Sequence, residues 1–253
     1  MSEMKENMRI YFASDAHLGM DSQVQSLDRE KLLVRWLDEI RKDATEIYLL
    51  GDMFDYWFEY RKVVPRGFTR FIAKIAEITD SGIPVYYFIG NHDVWIFNYL
   101  PSEAGIILCP VPVTKYYNEK KFFIAHGDGL GPNERSHRFL MKITRNKILQ
   151  WFYTCLHPNF ATALAQRISR RTRYAKGITL EFLGPDKEDL FQFAREKLKT
   201  EHFDFFIFGH RHIPMEYSLN EKSKLILVGD WIINFTYALF DGEKVILKKF
   251  QGG

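Results

Sequence analysis

Six apolar runs of strand length in this chain each end in side chains that can bind a metal ion. In chain order the endings are Asp15 and His17, Asp52 and Asp55, residues 91–93, His126 and Asp128, His210 and His212, and Asp230. Strands that are apolar almost throughout are buried on both faces, so helices are expected to cover them. The repeated ending therefore predicts a layered fold with polar residues gathered at one edge.

The segments between these runs predict the covering helices. Two of them place apolar residues at helical spacing: Leu33, Trp36, Leu37 and Ile40 in the first, and Phe68, Ile72, Ile75 and Thr79 in the second. The last part of the chain predicts antiparallel strands instead, with a hairpin turn at residues 241–244. We therefore predict an α/β layered fold in which residues 1–253 form a single domain.

Open α/β sheets place their sites beyond the carboxyl ends of the strands, which is where these polar residues stand. Any one Asp or Asn there could simply favour a turn. However, five of the eight histidines occupy such positions: His17, His92, His126, His210 and His212. The repeated pattern favours a functional site over a series of turns.

The candidate ligands offer oxygen and imidazole atoms but no thiolate, a set that suits Mn(II), Fe(II) or Zn(II). Seven ligands are too many for one tetrahedral ion, but they suit two ions that share a bridging carboxylate. Paired ions of this kind hydrolyse phosphate esters. The seven predicted metal ligands are Asp15, His17, Asp52, Asn91, His126, His210 and His212.

The segments "DAH", "GDMFD", "GNHD", "HGD" and "GHRH" resemble, in order and spacing, the five motifs of the calcineurin-like metallophosphoesterases. The resemblance implies an α/β/β/α sandwich with two metal ions. It assigns Asp15, His17 and His212 to the first ion, Asn91, His126 and His210 to the second, and Asp52 to both. It also implies that His92, together with Asp52 and Asn91, is catalytic, because that histidine lies beside the phosphate and can protonate a leaving oxygen.

A closer resemblance is to the UDP-2,3-diacylglucosamine hydrolases of lipid A synthesis. It rests on "DAHLG", on "GDMFDYWFEY", on the helical insertion after "HGDGL", and on "GHRHIPM" followed by "VGDW". It implies cleavage of a pyrophosphate to UMP and 2,3-diacylglucosamine 1-phosphate. Two differences stand out: His92 replaces the usual Arg of these enzymes, and "YAKGITL" replaces an Asn- and Ser-rich stretch.

The insertion, at about residues 131–180, predicts a pair of amphipathic helices. Ile148, Trp151, Phe152, Cys155 and Leu156 lie at helical spacing, and a second helix starts at Pro158. The resemblance implies that this insertion is a lid over acyl chains; alternatively, its apolar residues pack on the core. The candidate substrate contacts are Asn91, His92, Trp151, Phe152, Arg167, Arg171 and Arg173.

Charge is distributed unevenly along the chain. Residues 135–180 contain ten Lys and Arg and no Asp or Glu, which leaves 25 basic residues against all 32 acidic ones elsewhere. Such a segment predicts an anionic partner or a peripheral contact with the inner membrane surface, or else a solvated helical face. We expect no nucleic-acid partner, because the aromatic residues follow helical spacing rather than forming a stacking platform.

Two cysteines far apart in sequence, the absence of a signal-peptide pattern and the lack of a long apolar run predict a cytoplasmic protein. Manganese is the expected metal, with iron or zinc as alternatives. The alternative functions are a phosphodiesterase or phosphatase acting on a soluble phosphoester, which His92 favours, and a metal-free scaffold. All seven ligands are present, which argues against the scaffold. The sequence does not indicate an oligomeric state.

Overall fold

The computed structural model of the chain describes residues 8–20, 22–176 and 181–252, without the side chains of residues 136, 137 and 168–176. Strands and helices alternate through most of this range. In chain order the elements are β1 (Ile10–Ala13), α1 (Ser26–Ile40), β2 (Glu46–Leu49), α2 (Thr69–Asp80), β3 (Val85–Phe88), α3 (Tyr99–Ala104), β4 (Ile107–Cys109), β5 (Val113–Tyr117), β6 (Lys120–Ala125), α4 (Arg135–Thr144), α5 (Lys147–Thr154), α6 (Pro158–Lys176), α7 (Asp189–Leu198), β7 (Phe205–Phe208), β8 (Pro214–Ser218), β9 (Lys224–Val228), β10 (Thr236–Phe240) and β11 (Val245–Lys249).

The described strands form two sheets. The first has the order β11-β10-β1-β2-β3-β4, and the second has the order β5-β6-β7-β9-β8. Strands β1 to β4 are parallel to one another, as are β6, β7 and β9, while β5, β8, β10 and β11 pair antiparallel with their neighbours. Each sheet therefore has its own set of neighbouring parallel strands, and their carboxyl ends can supply one site.

The two sheets pack face to face, and helices cover their outer faces. The interface is apolar and aromatic: Phe12 and Tyr48 of the first sheet share a buried cluster with Phe122 and Ile207 of the second. Helices α1, α2 and α3 cover the first sheet, and α7 covers the second. The predicted α/β/β/α sandwich is thereby confirmed.

Helix α1 buries the predicted face, with Trp36 fully enclosed. In α2 the predicted face is confirmed in part: Ile75 is buried and Phe68 and Ile72 pack against the same cluster, but the other buried residues are Phe71 and Ile78. Phe68 precedes this helix with a left-handed backbone, at φ 60°. The helix consequently begins after Phe68.

The antiparallel C-terminal region is divided between the two sheets. Strands β10 and β11 form the predicted hairpin in the first sheet. Strand β9, in contrast, lies in the second sheet, antiparallel to β8 and parallel to β7. The chain crosses between the sheets after β9, and Asp230 begins that crossing.

Between β6 and α7 the described residues form three helices, α4, α5 and α6, where a pair was predicted. Asn146 caps the N-terminus of α5 through hydrogen bonds from the backbone N–H groups of Ile148 and Leu149, and so separates α5 from α4. None of the helices in the described part of the chain is both long and apolar enough to cross a membrane. We refer to α4–α6 as the three-helix segment.

Candidate metal centre

The strand ends of both sheets bring the candidate ligands together. One group of possible ligand atoms comes from Asp15, His17 and His212, and another from Asp52, His126 and His210. Asn91 adjoins the second group, because its Oδ1 lies 3.4 Å from His126 Nε2. The structure therefore gathers all seven predicted ligands at one edge of the sandwich, in the two sets expected.

Asp52 lies between the two groups. Its Oδ2 is 3.6 Å from His17 Nε2 on one side and 3.5 Å from His126 Nε2 on the other. Its Oδ1 accepts a hydrogen bond of 2.8 Å from the backbone N–H of His92. One carboxylate oxygen is thus anchored to the backbone, and the other faces an imidazole of each group.

Two buried atoms indicate that a cation belongs between the side chains of the first group. Among the described residues, Asp15 Oδ1 and His17 Nε2 are buried without a hydrogen-bond partner. These atoms lie 3.7 Å apart, and His212 Nε2 lies 3.4 Å from Asp15 Oδ1. Atoms that surround an ion at about 2.1 Å are about 3.0–3.5 Å from one another. The spacing therefore suits ligands around an ion better than direct hydrogen bonds.

A left-handed backbone orients most of these ligands. Positive φ angles occur at five of the seven: Asp15 (56°), His17 (42°), Asp52 (53°), His210 (65°) and His212 (56°). A residue other than glycine in this region costs about 1–3 kcal/mol, and such residues cluster at functional sites. Packing in the rest of the fold must offset that cost to keep the ligands in place.

Two glycines allow the site loops to approach one another. A Cβ at Gly90 would lie 2.2 Å from Asp52 Oδ1. A Cβ at Gly209 would lie 2.0 Å from Ser14 Oγ and 2.8 Å from Asp15 Oδ2. Any side chain at either position would therefore displace a candidate ligand.

Hydrogen bonds donated from Nδ1 orient two of the histidines. His126 Nδ1 donates to the Leu50 carbonyl at 2.7 Å, and His17 Nδ1 lies 3.4 Å from Asp55 Oδ1. Partners of this kind hold a ring in one orientation and leave Nε2 to face a metal. For His17 and His126, the Nε2 atoms are those nearest to Asp52.

His212 is held through its backbone and its ring. Asn234 Nδ2 donates to the His212 carbonyl at 3.0 Å and to Asp230 Oδ2 at 2.7 Å. The same Asp230 oxygen is 4.0 Å from His212 Nδ1. The crossing after β9 thus supports the last ligand of the "GHRH" motif.

Asp93 organises the loop that carries Asn91. It is fully buried, and its two oxygens accept hydrogen bonds from Met53 N at 3.0 Å, Tyr87 Oη at 2.6 Å and Gly90 N at 2.8 Å. Burial raises the pKa of Asp93 to about 6. This carboxylate connects the loop after β2 to the loop after β3.

The facing charges shift the pKa values of the cluster. Burial alone would raise the pKa of Asp15, but the nearby His212 and His17 lower it to about 2. Burial likewise opposes the charged forms of Asp52 and His126, yet their mutual attraction holds the pKa of Asp52 well below its usual value and that of His126 well above. Two buried carboxylates are therefore ionised, as binding of a divalent cation requires.

His92, the predicted catalytic histidine, lies beside the first group. Its ring centroid is 4.6 Å from that of His17, and its Nδ1 is 3.0 Å from the Asp55 carbonyl oxygen. A donated hydrogen bond from Nδ1 leaves Nε2 for another partner. Burial lowers the pKa of His92. The position fits contact with a reacting phosphate, and the catalytic role remains a prediction.

The predicted substrate contacts of the three-helix segment lie on its surface. Trp151 is 61% exposed and Phe152 is 59% exposed, so the alternative that they pack on the core is wrong. Arg167 on α6 is also exposed. The side chains of Arg171 and Arg173 lie outside the described part of the chain. Two large exposed aromatic residues that are neighbours on one short helix suit an interaction site.

Tyr153 attaches α5 to the sandwich. Its ring centroid lies 4.6 Å from that of Phe58 and 5.1 Å from that of Trp95. Its hydroxyl is 2.9 Å from Tyr56 Oη and donates to the Ala161 carbonyl at 2.9 Å. The three-helix segment is thereby fixed to the loops that follow Asp52 and His92.

Sequence reasoning missed three supports of the site: Asp55 as the partner of His17, Tyr153 as the attachment of α5, and Arg211, whose guanidinium pairs with Glu188. The "GDMFD" spacing, which places Asp55 three residues after Asp52, could have indicated the first. The other two depend on contacts between residues far apart in sequence.

Comparison with known proteins agrees with this geometry. The family model of calcineurin-like phosphoesterases matches residues 8–214. The chain is 39% identical to a UDP-2,3-diacylglucosamine hydrolase of Porphyromonas gingivalis, over 96% of this chain and 98% of the relative. It is 29% identical to a UDP-2,3-diacylglucosamine hydrolase of Shewanella baltica, over 88% of this chain and 90% of the relative.

Among solved structures, Yfce, a phosphoesterase from E. coli, aligns with a TM-score of 0.47 and 13% identity, over 96% of this chain and 94% of that chain. The family match spans most of the chain, and all seven candidate ligands, from Asp15 to His212, lie within it. The chain belongs to the calcineurin-like phosphoesterase family and is a metal-dependent hydrolase of phosphoric esters or pyrophosphates.

Proposed function

We propose that this enzyme hydrolyses the pyrophosphate of UDP-2,3-diacylglucosamine to UMP and 2,3-diacylglucosamine 1-phosphate. The names and the coverage of the two relatives support this substrate. The observation that carries the reaction class is the position of Asp52 Oδ2 between His17 and His126. A carboxylate in that place suits two ions held side by side, which is the arrangement used to cleave phosphate esters.

The seven candidate ligands would hold the two ions, and when bound these would polarise the phosphoryl oxygens and lower the pKa of a water molecule. The side chains around them have supporting roles. Asp55 and the Leu50 carbonyl keep the rings of His17 and His126 in place. His92, whose Nδ1 is occupied by the Asp55 carbonyl, offers Nε2 to the phosphate. One water molecule is consumed, and the bridging oxygen leaves with the departing phosphate.

Manganese is the metal we propose for both positions. Carboxylate, amide and imidazole ligands without thiolate suit Mn(II), although iron and zinc accept the same atoms. Purified enzyme stripped of metal and reloaded with each ion separately would rank the three. Greater activity with iron or zinc than with manganese would contradict this choice.

The three-helix segment, at about residues 131–180, is proposed as a lid inserted into the single domain. Its exposed apolar residues include Phe139, Ile148, Trp151, Phe152 and Phe160. Acyl chains would be removed from water by such a surface. Basic residues interspersed with them suit an anionic membrane surface, so we also propose a cytoplasmic enzyme that binds the inner membrane peripherally.

Turnover of the lipid tests the proposed function. Enzyme loaded with Mn(II) should release UMP from UDP-2,3-diacylglucosamine, and should do so far faster than it cleaves a soluble diester such as bis-p-nitrophenyl phosphate. Good turnover of the diester together with none of the lipid would instead indicate a phosphodiesterase for soluble substrates. Sedimentation with anionic vesicles, compared with neutral ones, tests the membrane contact separately.

A further inference from the structure

A cavity of about 550 Å³ lies beside the second group of candidate ligands. Its floor is the loop of residues 126–130, which begins with His126. The stretch of residues 109–112 after β4 forms one wall, and residues of helix α4 form another. The volume is within the range of about 300–1,000 Å³ that is typical of small-molecule sites.

Helix α4 gives this cavity a cationic wall. Arg138, Lys142 and Arg145 line it, at spacings that place them on one side of the helix. Arg138 donates hydrogen bonds to the carbonyls of Gly129 and Gly131, which fixes α4 over the loop that starts at His126. The side chains of Lys142 and Arg145 are exposed. They can therefore turn toward an anion without first breaking a contact with a carboxylate of the described residues.

The wall formed by residues 109–112 is apolar and stiff. It consists of Cys109, Pro110, Val111 and Pro112, and Val111 is 61% exposed. The two prolines restrict the backbone on both sides of Val111. A flat ring could lie against this wall while a phosphate faces the cations across the cavity. Of the described lining residues, only Asp128 has a carboxylate, and it lies on the His126 side.

We propose that this cavity binds the uridine monophosphate half of the substrate, an inference that rests on the proposed function. A diphosphate that spans the metal centre needs a site for the group on each side. The cationic wall suits the nucleotide phosphate, and the Val111 wall suits the base. An acyl chain there would have to remove the charges of Lys142 and Arg145 from water, which is costly. The exposed apolar residues of α5 and α6 offer the lipid half a surface without that cost.

Direct binding of UMP to the manganese-loaded enzyme tests this assignment by isothermal titration calorimetry. Each of Lys142→Gln and Arg145→Gln should weaken UMP binding roughly tenfold, since each removes one hydrogen bond from a charged group. Val111→Asp should weaken it further by placing a carboxylate against the base. Lys147→Gln, which removes a basic residue of α5 outside the cavity, should leave UMP affinity unchanged. Thermal melting of each variant checks that the fold is intact.

Two further probes identify the bound half. Glucosamine 1-phosphate and inorganic phosphate are titrated in the same way. Val111→Asp should weaken their binding much less than it weakens the binding of UMP. Failure of UMP to bind the wild type, or equal UMP affinity in wild type and in the Lys142→Gln and Arg145→Gln double variant, would overturn the inference. A larger loss for glucosamine 1-phosphate than for UMP would assign the cavity to the sugar and would also overturn it.

The inference and the proposed function fail in different ways. If the enzyme cleaves the lipid but these substitutions leave the affinity for UMP unchanged, the proposed function is supported and the proposed nucleotide site is refuted. If UMP affinity falls as expected but the lipid is not cleaved, the cavity is a nucleotide site of an enzyme with another substrate. Product inhibition by UMP during lipid turnover gives an independent measure, because its inhibition constant should rise in parallel with the dissociation constant.

Discussion

The guanidinium of Arg211 donates two hydrogen bonds to the carboxylate of Glu188, from Nε to Oε2 at 2.8 Å and from Nη2 to Oε1 at 2.8 Å. Arg211 stands between the candidate ligands His210 and His212, and Glu188, which is 3% exposed, immediately precedes α7. Glu188 Oε1 also accepts a hydrogen bond from Leu183 N at 3.1 Å. This pair therefore fixes the loop of the last two ligands to the helix that covers the second sheet.

Arg211→Ala should destabilise the fold by about 3 kcal/mol, because loss of one partner leaves a buried charge without compensation. Urea unfolding in the presence of a chelator measures this free energy without a contribution from metal. Arg195→Gln is the matched control, since Asp186, its partner, is 85% exposed and such pairs contribute about 0–1 kcal/mol. An equal loss in both variants would contradict a special role for the Arg211–Glu188 pair.

Metal addition should raise the melting temperature of stripped enzyme, because only the folded state gathers the ligands. At a free metal concentration 100 times the dissociation constant, the free energy of unfolding should show an increase of about 2.7 kcal/mol. Asp52→Asn should abolish most of it, since Asp52 lies between the two groups. Asp80→Asn, a change on the exposed end of α2, should keep the full response. Differential scanning calorimetry with and without Mn(II) would show the contrast.

Asp93→Asn should destabilise the fold by about 1–3 kcal/mol, the cost of leaving a buried donor unsatisfied. Both oxygens of Asp93 accept from backbone N–H groups, Met53 N at one and Gly90 N at the other. An amide has only one oxygen, so in either orientation its NH₂ group would face a donor. Asp241→Asn is the control, because Asp241 also accepts from two backbone N–H groups but through a single oxygen in an exposed turn. Equal losses of unfolding free energy in the two variants, relative to the wild type, would contradict the role given to the two oxygens of Asp93.

His92→Arg should separate substrates by their leaving groups. A phosphate leaves readily without a proton, so cleavage of the lipid pyrophosphate is expected to change less than about tenfold. Diesters with an alkoxide leaving group should lose about 10²-fold or more, which is the usual contribution of a general acid. Steady-state rates with both substrates, at saturating Mn(II), measure the difference. Equal losses for both would show that His92 supports the site without transferring a proton.

Tyr153→Ala should loosen α5 without disturbing the metal centre. Its ring packs on Phe58 and Trp95, and its hydroxyl meets Tyr56. Amide hydrogen exchange should accelerate in residues 147–154 while the β-strands keep their protection. Trp151→Ser, which alters an exposed residue of the same helix, should leave this exchange pattern unchanged. Faster exchange throughout the sandwich would contradict a local attachment.

Much of the site could be predicted because each ligand directly follows a run of apolar strand residues. Parallel strands end at the same edge, so the order of elements alone brings Asp15, Asp52 and Asn91 together. Apolar spacing likewise predicted α1, where a whole face is buried. In both cases the signal lies within a single element, so it can be recognised from neighbouring residues in the sequence.

The remainder depends on contacts that no local pattern contains. The start of α2 depends on the left-handed turn at Phe68. Strands β9 and β10 are neighbours in sequence, but each pairs with distant strands of a different sheet. Helix α4 was not predicted as a separate helix, and its apolar residues, such as Phe139 and Leu140, are exposed. The link between Arg211 and Glu188 spans 23 positions and a whole helix.

The left-handed backbone at five ligand positions also affects which substitutions would stabilise such a chain during evolution. Glycine or asparagine would adopt those angles more easily than histidine. A descendant that no longer bound metal could therefore gain stability by replacing His17, His210 or His212 with glycine. Aspartate and histidine at these angles thus place metal ligands correctly at the expense of stability.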